Sequence, residues 1–334
     1  MVALLQPLAK RAAPRLPAEA RLRAGLVVFS AALALSGCVA LPQSERLREA
    51  PPAGLPARVE LLDVPFHAQD DFLCGPASLA MVFNAAGVGA DVPTLTPQVY
   101  LPGRRGSLQA EMLGAARRAG LVALRLAPRL EALLAELAAG TPAVVLLNLG
   151  PRFYPLWHYA VAIGYDLEAG EIVLRSGRRE RVVYSFGFFE FLWKDADHWA
   201  MLALAPGRLP ASAGEAEFAA AVAVLEGAGR TAEARTAYRA LVARWPQSLV
   251  GLIGLGNTEY ALGDAAAAER AFRRAVEAHP HSAPAHNNLA HALAALGRME
   301  EAERAAQRAV ALGGPLRAEA EKTLAAIRAR RAPP

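Results

Sequence analysis

The chain has 334 residues, more than a single hydrophobic core usually serves, so we expect two domains besides any targeting segment. Its formal net charge of +5 would suit a nucleic-acid binder, but residues 1–37 hold five basic residues and one acidic residue. The remainder is close to neutral, so nucleic acid is not an expected partner.

The N-terminal segment has the pattern of a lipoprotein signal peptide over residues 1–37. An apolar run of small residues follows the basic cluster, and it is shorter than the roughly 20 residues that a membrane-spanning helix needs. The run ends in Leu35-Ser36-Gly37-Cys38, which resembles a lipobox. This resemblance implies cleavage before Cys38 and acylation of that residue, which would anchor the protein in a membrane. Because Val39 rather than Asp follows, we expect the outer membrane, with the protein facing the periplasm.

The chain has two cysteines, Cys38 and Cys74. If Cys38 is acylated, Cys74 has no partner for a disulfide within the chain. A lone thiol in an oxidising compartment favours a chemical role for Cys74. The alternative is that Cys74 is a small buried residue of the core.

After Cys38 the composition predicts a tether, an α+β domain and a linker. Residues 38–61 contain four prolines among charged and small residues, which is typical of a flexible tether. Residues 62–205 are predicted to form N-terminal helices packed on an antiparallel sheet. The predicted helices lie near residues 76–88, 107–119 and 129–139. Residues 206–214 are rich in Pro, Gly, Ala and Ser, and they are predicted to be a second linker.

The last third of the chain repeats with a period of 34 residues. Two series of small residues mark the period: Gly229, Gly263 and Gly297, and Ala237, Ala271 and Ala305. The spacing resembles the tetratricopeptide repeat, which implies an all-α solenoid over residues 215–328. Solenoids of this kind have a concave face that holds peptides or proteins. An ordinary alanine-rich helical bundle is the alternative.

The candidate nucleophile is Cys74, which stands in the stretch Cys74-Gly75-Pro76-Ala77. Pro76 suits the first turn of a helix, so a helix is predicted to open at the cysteine. The positive end of the helix macrodipole is then expected to lower the pKa of Cys74 and to favour the thiolate. Gln69, five residues upstream, is the candidate oxyanion donor together with the backbone N–H of Cys74.

A thiolate nucleophile needs a group that protonates the leaving amine, and His158 is the candidate. It begins a predicted strand that ends at Gly164-Tyr165-Asp166. Together with Gln69 and the cysteine motif, this arrangement resembles the double-glycine leader peptidases that process bacteriocins, in their stand-alone form. The resemblance implies a papain-like cysteine peptidase that cleaves peptide bonds through a thioester acyl-enzyme.

One position departs from that family. Where relatives carry an Asp that orients the imidazole, this chain has Ser176. If the hairpin turns around Leu167, Ser176 faces His158 and can still orient its imidazole. Asp166 is a weaker candidate for the same role. The missing carboxylate leaves open a second interpretation, a weakly active or inactive scaffold lipoprotein that acts through its repeats. Hydrolysis and transfer of the acyl group to an amine both stay open.

No cofactor, metal ion or nucleotide is expected. Histidines cluster in the repeats, but His286 and His291 are five apart, and this spacing does not place two ligands on one helical face. No G-x-x-x-x-G-K-[ST] motif occurs, so ATP is not an expected ligand. The expected partners are a peptide or protein substrate, a protein held by the repeats, and a membrane bound through Cys38.

Overall fold

The structure is a computed structural model that describes residues 41–331, so the predicted signal peptide and Cys38 lie outside the described residues. From Leu41 onward the chain forms one compact unit. Its helices are α1 Pro42–Glu49, α2 Cys74–Ala85, α3 Val92–Val99, α4 Gln109–Arg118, α5 Leu130–Ala138, α6 Phe186–Trp193, α7 Glu215–Gly227, α8 Thr231–Arg244, α9 Leu249–Ala261, α10 Ala265–Ala278, α11 Ala283–Ala295, α12 Met299–Leu312 and α13 Arg317–Arg331. None of the helices in the described part of the chain is both long enough and apolar enough to cross a membrane.

The strands build an antiparallel sheet in the first half of this unit. They are β1 Arg58–Glu60, β2 Tyr100–Leu101, β3 Gly106–Ser107, β4 Val122–Arg125, β5 Ala143–Asn148, β6 Trp157–Asp166, β7 Glu171–Ser176, β8 Arg179–Ser185 and β9 Ala200–Leu204. Six of them pair in the order β4-β9-β5-β6-β7-β8, and β1 pairs with β6 near its end. The short strands β2 and β3 form a separate hairpin. The fold is therefore α+β, with an all-α region after it.

Side chains along the central strands alternate between the two faces of the sheet, so the sheet domain has two hydrophobic cores. Val144 and Leu146 of β5 lie in the core that α2, α3 and α4 cover, whereas Val145 and Leu147 lie in the core on the other face, which α5 and α6 cover. Successive side chains of a strand point to opposite faces, so a strand covered on both sides is apolar throughout. This is why residues 143–147 are an unbroken apolar run.

The prediction of a flexible tether over residues 38–61 is partly wrong, because α1 and β1 both lie in this range and pack against the domain. Helix α1 docks on α5 and α6, and its Gln43, Ser44 and Leu47 are buried. The buried carboxylate of Glu190 accepts the backbone N–H groups of Gln43 and Ser44, at 3.0 and 2.7 Å. The N–H groups in the first turn of a helix have no partner inside the helix. The Glu190 carboxylate at the N-terminus of α1 therefore stabilises that helix. Proline is compatible with the first turn of a helix, so the proline content of this segment did not exclude α1.

The predicted linker 206–214 is also packed against the domain. Ser212 donates through its N–H and its hydroxyl to Oε1 of Glu136 in α5, at 2.8 and 2.7 Å. Beyond it, α7 packs on β4, and one hydrophobic core runs from the sheet into the first helices of the solenoid. The sheet domain and the repeats are therefore joined by a shared core.

Glycines in α9 allow the helices of the solenoid to approach closely. A Cβ on Gly254 would lie 2.2 Å from the ring of Tyr238, and a Cβ on Gly256 would lie 2.3 Å from the ring of Phe272. Real Cβ atoms do not approach other atoms so closely, so only glycine fits at these crossings. These two glycines are not members of the 34-residue series; Gly229, Gly263 and Gly297 of that series lie in the turns between paired helices, each with a positive φ.

Candidate active site

Cys74 is the first residue of α2, and the chain turns sharply just before it. Phe72 has a φ of 66°, a left-handed conformation that is uncommon for a bulky residue. Gly75 lies against the β2–β3 hairpin, since a Cβ there would be 2.3 Å from Oγ of Ser107. The start of α2 is therefore packed between its own preceding turn and this hairpin.

His158 is the second residue of β6, and its Nε2 lies 2.9 Å from Oγ of Ser176 at the end of β7. The predicted turn around Leu167 is wrong, because Asp166 pairs with Glu171 and an extra residue bulges from β6 at Ile163. The two side chains are consequently diagonal neighbours across the strands, a separation that a long side chain still bridges. The predicted role of Ser176 in orienting the imidazole stays a prediction.

Asp166, the weaker candidate for the same role, is a turn residue. Its Oδ1 accepts the backbone N–H of Ala169 at 2.9 Å, inside the β6–β7 turn. The carboxylate thus closes a turn at the far end of β6, eight positions along the strand from His158.

Gln69 connects three elements of the domain. Its Oε1 accepts the backbone N–H of Gly177 at 2.7 Å, and its Nε2 donates to Oγ of Ser78 at 3.2 Å and to the carbonyl of Tyr159 at 3.3 Å. Both amide N–H groups are engaged in this resting structure. To donate to an oxyanion, Gln69 must release one of these acceptors, so its predicted role remains a prediction.

Three of the four predicted residues surround one cleft of about 750 Å³. Gln69, Cys74 and His158 line it, whereas Ser176 contacts His158 without lining the cleft. The rim also carries apolar and charged side chains that sequence reasoning did not find: Phe72, Leu108, Leu156, Trp157, Arg104, Arg105, Asp195 and Asp197. These residues come from segments far apart in the chain, and no local pattern identifies them.

Burial sets the charge state of the thiol and of the imidazole. Burial raises the pKa of the Cys74 thiol, and the backbone N–H groups of Tyr159, Gly75 and Cys74 offset only part of that rise. The expected lowering by the helix macrodipole is therefore wrong in direction, because desolvation of the thiolate outweighs it. Burial likewise lowers the pKa of His158 to about 4.

The resting site accordingly holds a neutral thiol and a neutral imidazole near pH 7. Within residues 41–331 no hydrogen bond joins the Cys74 thiol to the His158 ring. Helix α2 packs on β6, so the thiol and the imidazole lie on neighbouring elements that line one cleft. Catalytic hydrogen bonds are often long before a substrate binds. A neutral imidazole can still accept the proton of the thiol during attack.

The described residues offer no alternative centre of metal chemistry. No group of three His, Cys, Asp or Glu side chains among them is arranged to hold a metal ion.

Comparisons with known families identify two kinds of segment. Residues 61–176 match the model of the Peptidase_C39 like family. Residues 215–248 and 253–316 match two models of the tetratricopeptide repeat. No curated protein matches the chain.

Solved structures that resemble the chain are similar to it over about a third of its length. The first tetratricopeptide domain of Spaghetti, bound to an HSP90 peptide, is 23% identical with a TM-score of 0.34, over 36% of this chain and 94% of that one. The type III secretion chaperone SycD of Yersinia enterocolitica, in complex with a peptide of the translocator YopD, is 18% identical with a TM-score of 0.33, over 35% and 94%. A T3SS complex from Aeromonas hydrophila is 22% identical with a TM-score of 0.34, over 35% and 82%.

Proposed function

Because the chain contains a Peptidase_C39-like domain followed by tetratricopeptide repeats, we propose that it is a cysteine peptidase that hydrolyses peptide bonds. One observation carries the proposal: Cys74 at the start of α2 and His158 at the start of β6 line the same cleft. A nucleophile and a base brought from distant segments to one cavity are what acyl transfer requires.

The neutral pair supports attack with simultaneous proton transfer. His158 takes the thiol proton as the sulfur of Cys74 bonds to the scissile carbonyl carbon, and the oxyanion forms near Gln69 and the backbone N–H of Cys74. The imidazolium then gives the proton to the leaving amine, and the C–N bond breaks to leave a thioester. Water, deprotonated by His158, attacks the thioester and releases the acid and the thiol.

Two further parts of the proposal concern location and recruitment. The lipobox-like motif supports acylation of Cys38 and anchoring in the outer membrane. The repeats are proposed to hold a protein partner or the substrate, since stacked helix pairs leave a concave surface for that purpose. Apolar side chains exposed on the first helices of the pairs suit this role: Val224, Val250 and Tyr260.

A second function has specific observations in its favour. Ser176 replaces the carboxylate of the related peptidases, and a hydroxyl stabilises an imidazolium less than a carboxylate does. Weak activity is also favoured by the raised pKa of Cys74 and by the absence of a thiol–imidazole hydrogen bond in the described chain. On this alternative the protein is a weakly active or inactive scaffold that works through its repeats.

Turnover of a peptide library by the purified protein separates the two functions. Cys74→Ala and His158→Gln should abolish turnover, whereas His281→Gln, at an exposed histidine of the repeats, should leave it unchanged. Ser176→Asp should raise the rate by roughly tenfold or more, because it restores a charge beside the imidazolium. Equal turnover by wild type and Cys74→Ala would contradict the peptidase. No turnover by any variant, with partner capture unaffected by Cys74→Ala, would favour the scaffold.

A further inference from the structure

The loop between β5 and β6 exposes an unusual amount of aromatic surface. At its tip Phe153 is 91% exposed and Tyr154 is 67% exposed. Leu149, Leu156 and Trp157 at its base are each about half exposed. A cluster of large apolar side chains on a surface marks a site of interaction.

This loop is held in its extended position by hydrogen bonds. Oδ1 of the buried Asn148 accepts the backbone N–H groups of Gly150 and Leu156, at 3.0 and 2.9 Å. The N–H of Leu149 donates to the carbonyl of Leu156 at 2.9 Å. These bonds close the base of the loop and fix where it leaves the sheet.

Helix α6, which ends next to the base of this loop, also exposes aromatic side chains. Phe188 and Phe191 lie one turn apart on its exposed side, and the ammonium of Lys194 lies 4.5 Å from the centre of the Phe191 ring. Asp195 follows Lys194, and its Oδ2 accepts a hydrogen bond from Nδ2 of Asn148 at 3.0 Å. This bond joins the end of α6 to the base of the loop. We refer to residues 149–157 together with Phe188, Phe191 and Lys194 as the aromatic face.

The described chain starts beside this face. Helix α1 is fixed to α6 by the Glu190 carboxylate, and Leu41 contacts the position of Gly187 on α6. Cys38 precedes Leu41 by three residues, which can span at most about 11 Å. An acyl chain on Cys38 would therefore enter a bilayer close to α6.

We propose that the aromatic face rests on the lipid headgroup surface. Aromatic rings with an adjacent cation are the side chains that suit a membrane–water interface, because their apolar parts enter the boundary while the polar groups stay hydrated. The proposal rests on the anchoring part of the proposed function and adds an orientation to it. Leu156 and Trp157 also line the cleft, so the cleft lies at the membrane and takes peptides that lie on its surface.

The test uses residues 41–334, a compact unit with its own cores and without Cys38. Sedimentation with vesicles of phosphatidylcholine and phosphatidylglycerol measures its partition coefficient. Phe153→Ser and Phe191→Ser should each lower that coefficient about tenfold, as expected for loss of one aromatic contact with lipid. Leu296→Ser and Leu316→Ser, at exposed apolar residues of the repeats, should leave it unchanged.

Fluorescence locates the contact independently. Dibrominated lipids should quench Trp157, which is half exposed, and Trp157→Phe should remove most of that quenching, because Trp193 and Trp199 are buried and Trp245 is a partly buried residue of the repeats. No binding of the wild-type unit to vesicles, or equal loss with the repeat variants, would overturn the proposal.

Other occupants of the face give different results, each of which also overturns the proposal. If Phe153→Ser dissolves a dimer in solution and leaves vesicle binding intact, the occupant is a second copy of the chain. If the same variant raises KM for soluble peptides with vesicle binding intact, the occupant is the substrate. Peptidase activity and acylation of Cys38 in the full chain, measured by turnover and by mass spectrometry, report on the proposed function separately.

Discussion

Acid is expected to destabilise the sheet domain through His158. Burial lowers the pKa of its imidazole from 6.5 to about 4, so between these values the unfolded chain binds a proton that the folded chain does not. The contribution of His158 to stability is complete above pH 6.5 and is lost as the pH falls toward 4. At 1.36 kcal/mol per pKa unit, the loss is about 3 kcal/mol.

The variant His158→Gln isolates this contribution because it removes the titrating group. Urea unfolding at about pH 7 and about pH 4, followed by the fluorescence of the buried Trp193 and Trp199, gives the free energy of unfolding of each protein. Wild type should lose about 3 kcal/mol more than the variant between the two pH values. Other groups titrate equally in both proteins and cancel in the difference. His281→Gln should behave as wild type.

The same protonation removes the base, so kcat/KM should fall with an acid limb near pH 4. An acid limb near 6.5, or equal pH dependence of unfolding in wild type and His158→Gln, would refute the claim that the imidazole is buried and neutral.

Three further substitutions test other contacts. Gly75→Ala should abolish turnover, because its Cβ would meet Oγ of Ser107 at 2.3 Å and displace the start of α2. Glu190→Ala should lower the free energy of unfolding by about 2 kcal/mol and release α1, seen as faster hydrogen exchange at its first N–H groups. Gly254→Ala should cost about 2 kcal/mol by chemical denaturation, since its Cβ would overlap the ring of Tyr238.

Matched substitutions control for each of these. Gly89→Ala and Gly227→Ala place a Cβ in open space and should neither reduce turnover nor lower the free energy of unfolding. Glu49→Ala, at an exposed carboxylate of α1, should leave hydrogen exchange at the first turn of that helix unchanged. If a control variant loses as much as its partner, the contact in question does not explain the effect.

Local and periodic features of this protein were predictable from its sequence. The opening of α2 at Cys74 follows from the Gly-Pro pair after it, and the 34-residue period of Gly229, Gly263 and Gly297 follows from the turn that each helix pair repeats. The helices near residues 107–119 and 129–139 and the strand that carries His158 were predicted as well, because each depends on a short run of side chains.

Contacts between distant segments were not predictable in this way. The bulge at Ile163 shifts the register of the β6–β7 hairpin, and the docking of α1 depends on Glu190, 147 residues after Gln43. The loop that carries Phe153 takes its position from Asn148 and Asp195.

The amino-acid sequence by itself determined which residues could supply a thiol, an imidazole and an amide, and where the helix behind the thiol starts. Only the tertiary structure decided their charge states and their neighbours. The physical reason is that desolvation depends on all the atoms packed around a group, and those that bury Cys74 and His158 come from the whole length of the domain.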